Sequence, residues 1–328
     1  MWCSSLNSPP AIGAHPPGYA PPVRLEGIHH VTAITANAPA NVDFYVRVLG
    51  LRLVKKTVNF DQPDVYHLYY GDDSGSPGSL LTFFEFPGAA PGRHGAGMVH
   101  TLVWRVRDQA ALEFWRQRLQ AEGVAVSGGE RRLRLADPEG LGIELAVSEG
   151  PDPSLIASHP QIPEEMALAG LDAVRAYAAE PPASAALLEQ GLNFTVDQDG
   201  AHTVAGAERH ARYVYEPAPR EGGRQGAGSV HHVAWSALDD AELDAWRQRV
   251  TAHGARPTPI IDRTYFHSVY FREPSGVLFE LATRGPGFAV DEDPDRLGQS
   301  LALPARYEAM REQLERTLTP LPQTPPAS

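Results

Sequence analysis

The chain has 328 residues, 42% hydrophobic and 21% charged, the composition of a soluble globular protein with one or two domains and a sizeable core. Its formal net charge of -12 and pI near 5.5 offer no basic field to phosphates, which argues against nucleic acid or an anionic membrane surface and for a small-molecule partner. Cys3 is the single cysteine, which rules out an intrachain disulfide and fits a reducing, cytoplasmic setting.

Residues 1–22, MWCSSLNSPPAIGAHPPGYAPP, read as a flexible Pro-rich leader: they lack the basic start and continuous apolar core of a secretory signal, and His15 reads as exposed. No apolar run approaches a membrane span. From Gly27 the pattern changes to short strands and amphipathic helices. GIHHVTAIT is a β-branched strand holding a histidine pair, and NVDFYVRVLGL sets Val42, Tyr45, Val46 and Leu49 on one helix side. Strand-like RLVKKTVNF, VYHLYYGD and SLLTFFEF complete this first unit. The second runs through GAGMVHTLVW, the helix LEFWRQRLQAEG and DPEGLGIELAV. A fainter third begins near MALAGLDAVRAYA, has a helix around AALLEQGLNF, and has strands near TVDQDG, HTVAG and ARYVYEP. The fourth is GAGSVHHVAW, then LDAWRQRVTAHG with Leu243, Trp246 and Val250 on one stripe, then IIDRTYFHSVYFREPSGVLFELAT.

The second and fourth units are copies. GAGMVHTLVW and GAGSVHHVAW share six of ten positions at a spacing of 226 − 95 = 131, and the helices keep that spacing. The expectation is an α+β fold of four βαβββ units, paired into two half-open barrels or joined in one extended curved sheet. Residues 23–150 carry the first two units, 151–284 the next two, and 285–328 form a C-terminal extension ending in the helix ARYEAMREQLERTL. Phe288 and Leu297 are apolar enough to pack it over a mouth or an interface.

Each strand sends alternate side chains to one face, so His232 in the first strand of unit four and Glu280 in its last can point into one concavity. His30 in the matching doublet of unit one is a third candidate. Two neutral imidazoles and a carboxylate with open positions suit non-haem Fe(II); histidine pairs in strands can also simply pack and hydrogen-bond. Alternation places Ile28, His30, Thr32 and Ile34 together and sends His29 and His231 to the opposite face unless the strand twists or bulges. Aligning the units sets Thr101 against His232, Glu144 against Glu280, and Thr82 near the position of Glu280, so units two and three read as a structural barrel. Glu85, near Thr82, is the one alternative fourth ligand. Asp43, Lys55, Lys56 and Asp61 read as solvated charges, and GRHGAG and GRQGAG as turn linkers. No Ser or Cys nucleophile motif is visible.

Taken together, GIHHVTAIT, FYVRVLGLRLVKKTVNFD, YHLYYGDDSGSPGSLLTFF and HHVAW…GVLFELAT resemble the vicinal oxygen chelate superfamily, the glyoxalase, bleomycin resistance and extradiol dioxygenase group. Within it they are most similar to ring-cleaving dioxygenases of the hydroquinone type, from about Gly27 to the terminal helix. The resemblance implies Fe(II), or Mn(II), on His30, His232 and Glu280, with His29, Thr32, His231, Arg263 and Tyr270 as surrounding catalytic residues. It implies His231 or Tyr270 as the acid–base group, Arg263 as the stabiliser of an oxyanion, and a small aromatic diol and O2 as partners in a possible homo-oligomer. The alternatives are a catechol extradiol dioxygenase, a non-catalytic small-molecule binding or resistance protein, and a metal-dependent isomerase or thiol transferase, which needs a fourth ligand.

Overall fold

The computed structural model describes residues 24–148 and 150–324; the expected leader, with Cys3 and His15, lies outside the described residues. Unit one comprises β1 (Ile28–Thr35), α1 (Ala38–Val42) continued by a π-helical turn at Asp43–Val48, β2 (Arg52–Asn59), β3 (Gln62–Gly71) and β4 (Leu80–Glu85). Unit two comprises β5 (Met98–Val106), α2 (Gln109–Ala121), β6 (Ser127–Gly128), β7 (Arg132–Ala136) and β8 (Gly142–Val147). Unit three has β9 (Leu171–Ala178), a π-helical turn at Ala186–Gly191, β10 (Thr195–Val196), β11 (His202–Ala205) and β12 (His210–Pro217). Unit four has β13 (Val230–Ala237), α3 (Asp240–Ala252), β14 (Ile261–Asp262), β15 (Phe266–Arg272) and β16 (Leu278–Pro286).

Local chemistry explains why the copies fold alike. Asp108 and Asp239 cap α2 and α3 by accepting backbone N–H groups of the first turn. The repeated tryptophans Trp115 and Trp246 are fully buried, as are Trp104 and Trp235 from the repeated strand. Gly97 and Gly228, equivalent positions of the two GAG strings, both take φ of +77°, where a side chain is strained. The linkers before them clasp each other through paired Arg93 and Arg224 backbone bonds of 2.9 and 2.8 Å, as turn segments would.

The four units form two eight-stranded sheets, in the order β14-β15-β16-β13-β1-β4-β3-β2 and β10-β11-β12-β9-β5-β8-β7-β6. Residues 23–150 and 151–284 each carry two units, but the sheets do not follow that division. Unit one pairs with unit four and unit two with unit three, through antiparallel β1–β13 and β5–β9. The result is the α+β arrangement of two half-open barrels. Among the described residues no helix is long and apolar enough to cross a membrane.

The C-terminal extension covers the first sheet. Phe288 and Leu297 are buried in one cluster with Tyr69, Tyr265 and Phe266, and Leu301 bridges to Lys56 along the otherwise open β2 edge. The terminal segment is a 3-10 turn, Ala305–Met310, running into α4 (Arg311–Thr317); the Tyr307 hydroxyl donates to the Phe60 carbonyl at 2.7 Å. Lys55 departs from its expected solvated state. Its side chain is fully buried, and its ammonium donates to the Phe288 carbonyl (3.0 Å) and Asp291 (2.6 Å) and pairs with Glu292 beside the Tyr265 ring. The reason is long-range: those partners lie in the extension, where sequence spacing gives no hint of them. Removing one partner of a buried ion cluster strands the others. Lys55→Met is therefore expected to cost about 3–5 kcal/mol in urea unfolding and to open the extension to protease before the rest of the chain unfolds.

Candidate metal centre

The two central strands of the first sheet carry the candidate ligands. In the antiparallel β1–β13 pair Thr32 lies opposite His232 and His30 opposite Ala234; opposed residues share a face, so His30, Thr32 and His232 look into one concavity. Glu280 joins them because β16 pairs with β13 with Glu280 beside Ala234. His30 Nε2 lies 3.2 Å from His232 Nε2 and 3.2 Å from Glu280 Oε2, and His232 Nε2 lies 2.8 Å from the same oxygen. All three residues are buried, and they form the His/Cys/Asp/Glu group with metal-ligand spacing found among the described residues.

The first histidine of each doublet is oriented by a break in register. The β1–β13 ladder skips His29, between Ile28 and His30, and skips His231, between Val230 and His232. Such a β-bulge releases a side chain from strict alternation. His29 Nδ1 thereby lies 2.9 Å from His30 Nδ1, and His231 Nδ1 lies 2.7 Å from His232 Nδ1. Burial, followed by the adjacent histidine, lowers both His29 and His231 to about 3, so both are neutral at ordinary pH. His29 Nε2 donates to the Thr283 carbonyl at 3.0 Å, which leaves its Nδ1 as an acceptor. His30 must then donate from Nδ1 and present a bare lone pair at Nε2. Applied to the second doublet, the same pattern has His232 donate to His231, whose proton sits on Nε2 at the cavity wall.

These donor atoms fit a cation. Two imidazole lone pairs and a carboxylate oxygen repel at 2.8–3.2 Å unless positive charge lies among them. Three ligand atoms at right angles, each about 2.1 Å from one ion, would stand about 3.0 Å apart. Glu280 is wholly buried and burial opposes its ionisation; protonated imidazoles at His30 and His232, like a bound cation, would hold it well below the usual carboxylate range. Its Oε1 accepts from Ser268 at 2.5 Å, and Oε2 has the two imidazole nitrogens beside it.

The second sheet repeats the registers with different chemistry. Val103 lies beside Glu144 as Ala234 lies beside Glu280, so Thr101 takes the place of His232. Arg175 stands where Thr32 does, and Arg134 faces Glu144 as Tyr270 faces Glu280. Glu144 is as buried as Glu280, and it is neutralised by Arg175 (3.1 Å), Arg134 (3.0 Å) and Arg132. The second sheet thus neutralises its buried carboxylate with guanidinium groups where the first sets two imidazoles beside Glu280.

Thr32, His231, Arg263 and Tyr270 line a cavity of about 270 Å³ together with His30 and His232; His29 does not, standing behind His30. Arg263 donates to the Tyr270 hydroxyl (3.3 Å) and to Asp61 (3.2 Å) rather than to Glu280. Asp61, expected to be merely solvated, is exposed but forms part of this wall. Burial, reinforced by Glu280, raises Tyr270 far above the ordinary phenol value and keeps it protonated. Burial works against the Arg263 charge, but Tyr270, Asp61 and Glu280 outweigh it and keep the guanidinium ionised. Glu85 caps α1 by accepting from Ala38 N–H at 3.2 Å, so it supplies no fourth ligand; Thr82 occupies that position. His67, Tyr69, Phe60, Phe84, Phe86 and Phe266, which the sequence pattern does not single out, line the same wall with Asn59 and Leu278. The alternation of His67 and Tyr69 within VYHLYYGD was the available signal.

The comparisons with known proteins agree with this architecture. The model of the Glyoxalase/Bleomycin resistance protein/Dioxygenase superfamily matches residues 27–145 and 170–281. A Bacillus subtilis protein provisionally named ring-cleaving dioxygenase MhqA is 40% identical over 317 residues, covering 91% of this chain and 100% of its own. Chlorohydroquinone/hydroquinone 1,2-dioxygenase of Sphingobium indicum is 32% identical over 316 residues, covering 90% of this chain and 97% of its own. The crystal structure of a Bacillus subtilis protein provisionally described as a dioxygenase superposes with a TM-score of 0.85 at 37% identity, covering 92% of this chain and 98% of that one. Maize glyoxalase I shares the fold at a TM-score of 0.56 and 13% identity, over 79% of this chain and 92% of that one.

Partners that orient a metal-bound histidine are each worth about 10–100-fold in metal affinity. If the three residues hold a divalent metal, His29→Leu is expected to weaken its binding by that factor without abolishing it, as measured by anaerobic titration. The same variant checks the proton balance. Because wild-type His29 is held near 3, the unfolded chain takes up protons that the folded one refuses, so metal-free stability falls as pH drops from 6.5 toward 3. In His29→Leu that fall is expected to be shallower in urea midpoints across the range.

Proposed function

We propose, from the premise that the chain belongs to the glyoxalase/bleomycin resistance protein/dioxygenase superfamily, that it is a ring-cleaving dioxygenase holding Fe(II) on His30, His232 and Glu280. Its substrate is a hydroquinone-type aromatic diol, with both atoms of O2 entering the product. The observation that carries this reading is a buried carboxylate facing two imidazole lone pairs, with neutral side chains where the second sheet has guanidinium groups. Relatives named as ring-cleaving dioxygenases, one of them for hydroquinones, support the reaction and the substrate class. A neutral threonine at position 82 favours three protein ligands over the four that the isomerase reading needs. Mn(II) is the other metal that this donor set would hold.

Bound there, Fe(II) would supply electron exchange between ring and O2. The protein's own part is position, exclusion of water and proton handling. A cavity of about 270 Å³ is at the lower end for small-molecule sites and suits one ring. Phe60, Phe84, Phe86 and Phe266 form apolar walls that hold the ring and keep water out. Arg263, kept charged and tied to the Tyr270 hydroxyl, faces the oxygen on which negative charge grows as the ring opens. Tyr270, kept protonated, donates to that oxygen, and His231 exchanges the proton on its Nε2 with it. His29 acts through His30.

The direct test is O2 uptake by Fe(II)-loaded protein with hydroquinone, methylhydroquinone and catechol in parallel. Rapid uptake with the hydroquinones, and two labelled atoms in the product from isotopic O2, is the expected result. Faster turnover of catechol would move the assignment to catechol cleavage; no uptake with any diol would leave a binding protein. Tyr270→Phe is expected to keep its iron while kcat falls about 10²-fold. An unchanged kcat would take Tyr270 out of the chemistry.

A further inference from the structure

Four side chains of unit one join end to end through the cavity wall. The Tyr69 hydroxyl lies 2.9 Å from His67 Nδ1, His67 Nε2 lies 3.0 Å from Thr82 Oγ1, and Thr82 Oγ1 lies 2.8 Å from Thr32 Oγ1. All four are buried, and Tyr69, His67 and Thr32 line the cavity. Strand registers give the chain its meaning. Thr82 lies beside Thr32 as Glu280 lies beside Ala234, and Tyr69 faces Thr82 as Tyr270 faces Glu280. His67 likewise stands at the counterpart of Ser268, which donates to Glu280. Where unit four has a carboxylate and its donor, unit one has a neutral row of groups that can both give and receive a proton.

Each link holds one proton, so the row has two states. In one, Thr32 donates to Thr82, Thr82 to His67 Nε2, and His67 Nδ1–H to Tyr69, which leaves the Thr32 oxygen open as an acceptor and the Tyr69 proton facing the cavity. In the other every bond is reversed and Thr32 offers its proton to the cavity. Burial pushes His67 well below its ordinary value, so its ring takes part as two neutral tautomers rather than as a cation.

We propose that Thr32, Thr82, His67 and Tyr69 form a proton relay that accepts the proton of the substrate's hydroxyl at Thr32 and releases another from Tyr69 to water in the cavity. The inference rests on the dioxygenase reading, since it takes a ring hydroxyl as the proton source. The transfers balance. The substrate O–H breaks as Thr32 gains its proton; Thr32 passes its own to Thr82, Thr82 to His67 Nε2, His67 from Nδ1 to Tyr69, and Tyr69 to water. The substrate is left as an anion, the water as hydronium, and no side chain changes charge. His67 and Thr82 act through Thr32 and are positioning residues.

Thr82→Val breaks the row at its middle, and Thr82→Ser restores it. In Thr82→Val, kcat for hydroquinone is expected to fall about 10²-fold with an altered solvent deuterium isotope effect, while Fe(II) affinity stays within about twofold; the serine variant recovers most of the rate. Nitrogen NMR of the His67 ring in metal-free protein supplies a readout that needs no turnover. Wild type is expected to show both neutral tautomers in exchange, and Thr82→Val the Nδ1–H tautomer alone, because an Nε2–H would then face the valine methyls with no acceptor, whereas Tyr69 accepts from Nδ1–H. A Thr82→Val enzyme with wild-type kcat and isotope effect, or a His67 ring that is cationic or tautomerically unchanged by the substitution, overturns the relay. A wild-type enzyme that consumes no O2 with any diol counts against the dioxygenase reading instead, and the NMR comparison then decides the relay by itself.

Discussion

A carboxylate removed from water must have positive charge beside it, and the design of this protein follows from how its two sheets meet that demand. Glu144 and Glu280 occupy equivalent places, and both are fully buried. The second sheet answers with Arg132, Arg134 and Arg175. The first has Ser268, Tyr270 and Thr32 at the matching positions and brings two imidazole lone pairs within 3.2 Å of the oxygen. Positive charge there would come from a bound ion, the reading proposed above, or from protonation of those imidazoles. One fold thus carries a charge-saturated barrel and a charge-deficient one, and the deficiency is the functional asset.

The scaffold for that asset exists without the metal. The second sheet keeps a register break at His100, the counterpart of His231, and directs its Nδ1 to Thr101 at 2.9 Å. In the first sheet the same kind of break turns His29 and His231 onto His30 and His232, the proposed ligands, where each can orient its neighbour's ring. Pairing unit one with unit four then completes the site, since His30 and His232 come from strands 202 residues apart. The C-terminal extension holds the outer wall in place through Lys55, Phe288 and Tyr307, which pack behind Tyr265, Tyr69 and Phe60.

Residues whose role depends on period or on copy number could be read from the sequence. The histidine doublets, the strand carrying Glu280, the repeated tryptophan helices and the substitution of Thr101 for a ligand all follow from two-residue alternation and internal alignment. What stayed hidden depends on contacts between distant segments. Alternation sends His29 and His231 to the opposite face unless the strand bulges, and the bulges that turn each toward its neighbouring histidine belong to the β1–β13 ladder and not to either strand. Lys55 looked solvated because its partners, Asp291 and Glu292, lie in the extension. His67 and Tyr69 passed unremarked because their meaning comes from standing opposite Phe84 and Thr82 in β4.

The measurement closest to the centre of this account is the binding of Fe(II) by anaerobic calorimetry to wild type and to Glu280→Gln, with urea stability of both proteins in the absence and presence of Fe(II). The account predicts about one Fe(II) per wild-type chain and none in the variant. It also predicts that Fe(II) raises the urea stability of wild type above its metal-free value and leaves the variant at its own metal-free value. A wild type that binds no iron, or a Glu280→Gln protein that binds it as tightly, would contradict the claim that the buried carboxylate is there to hold a metal.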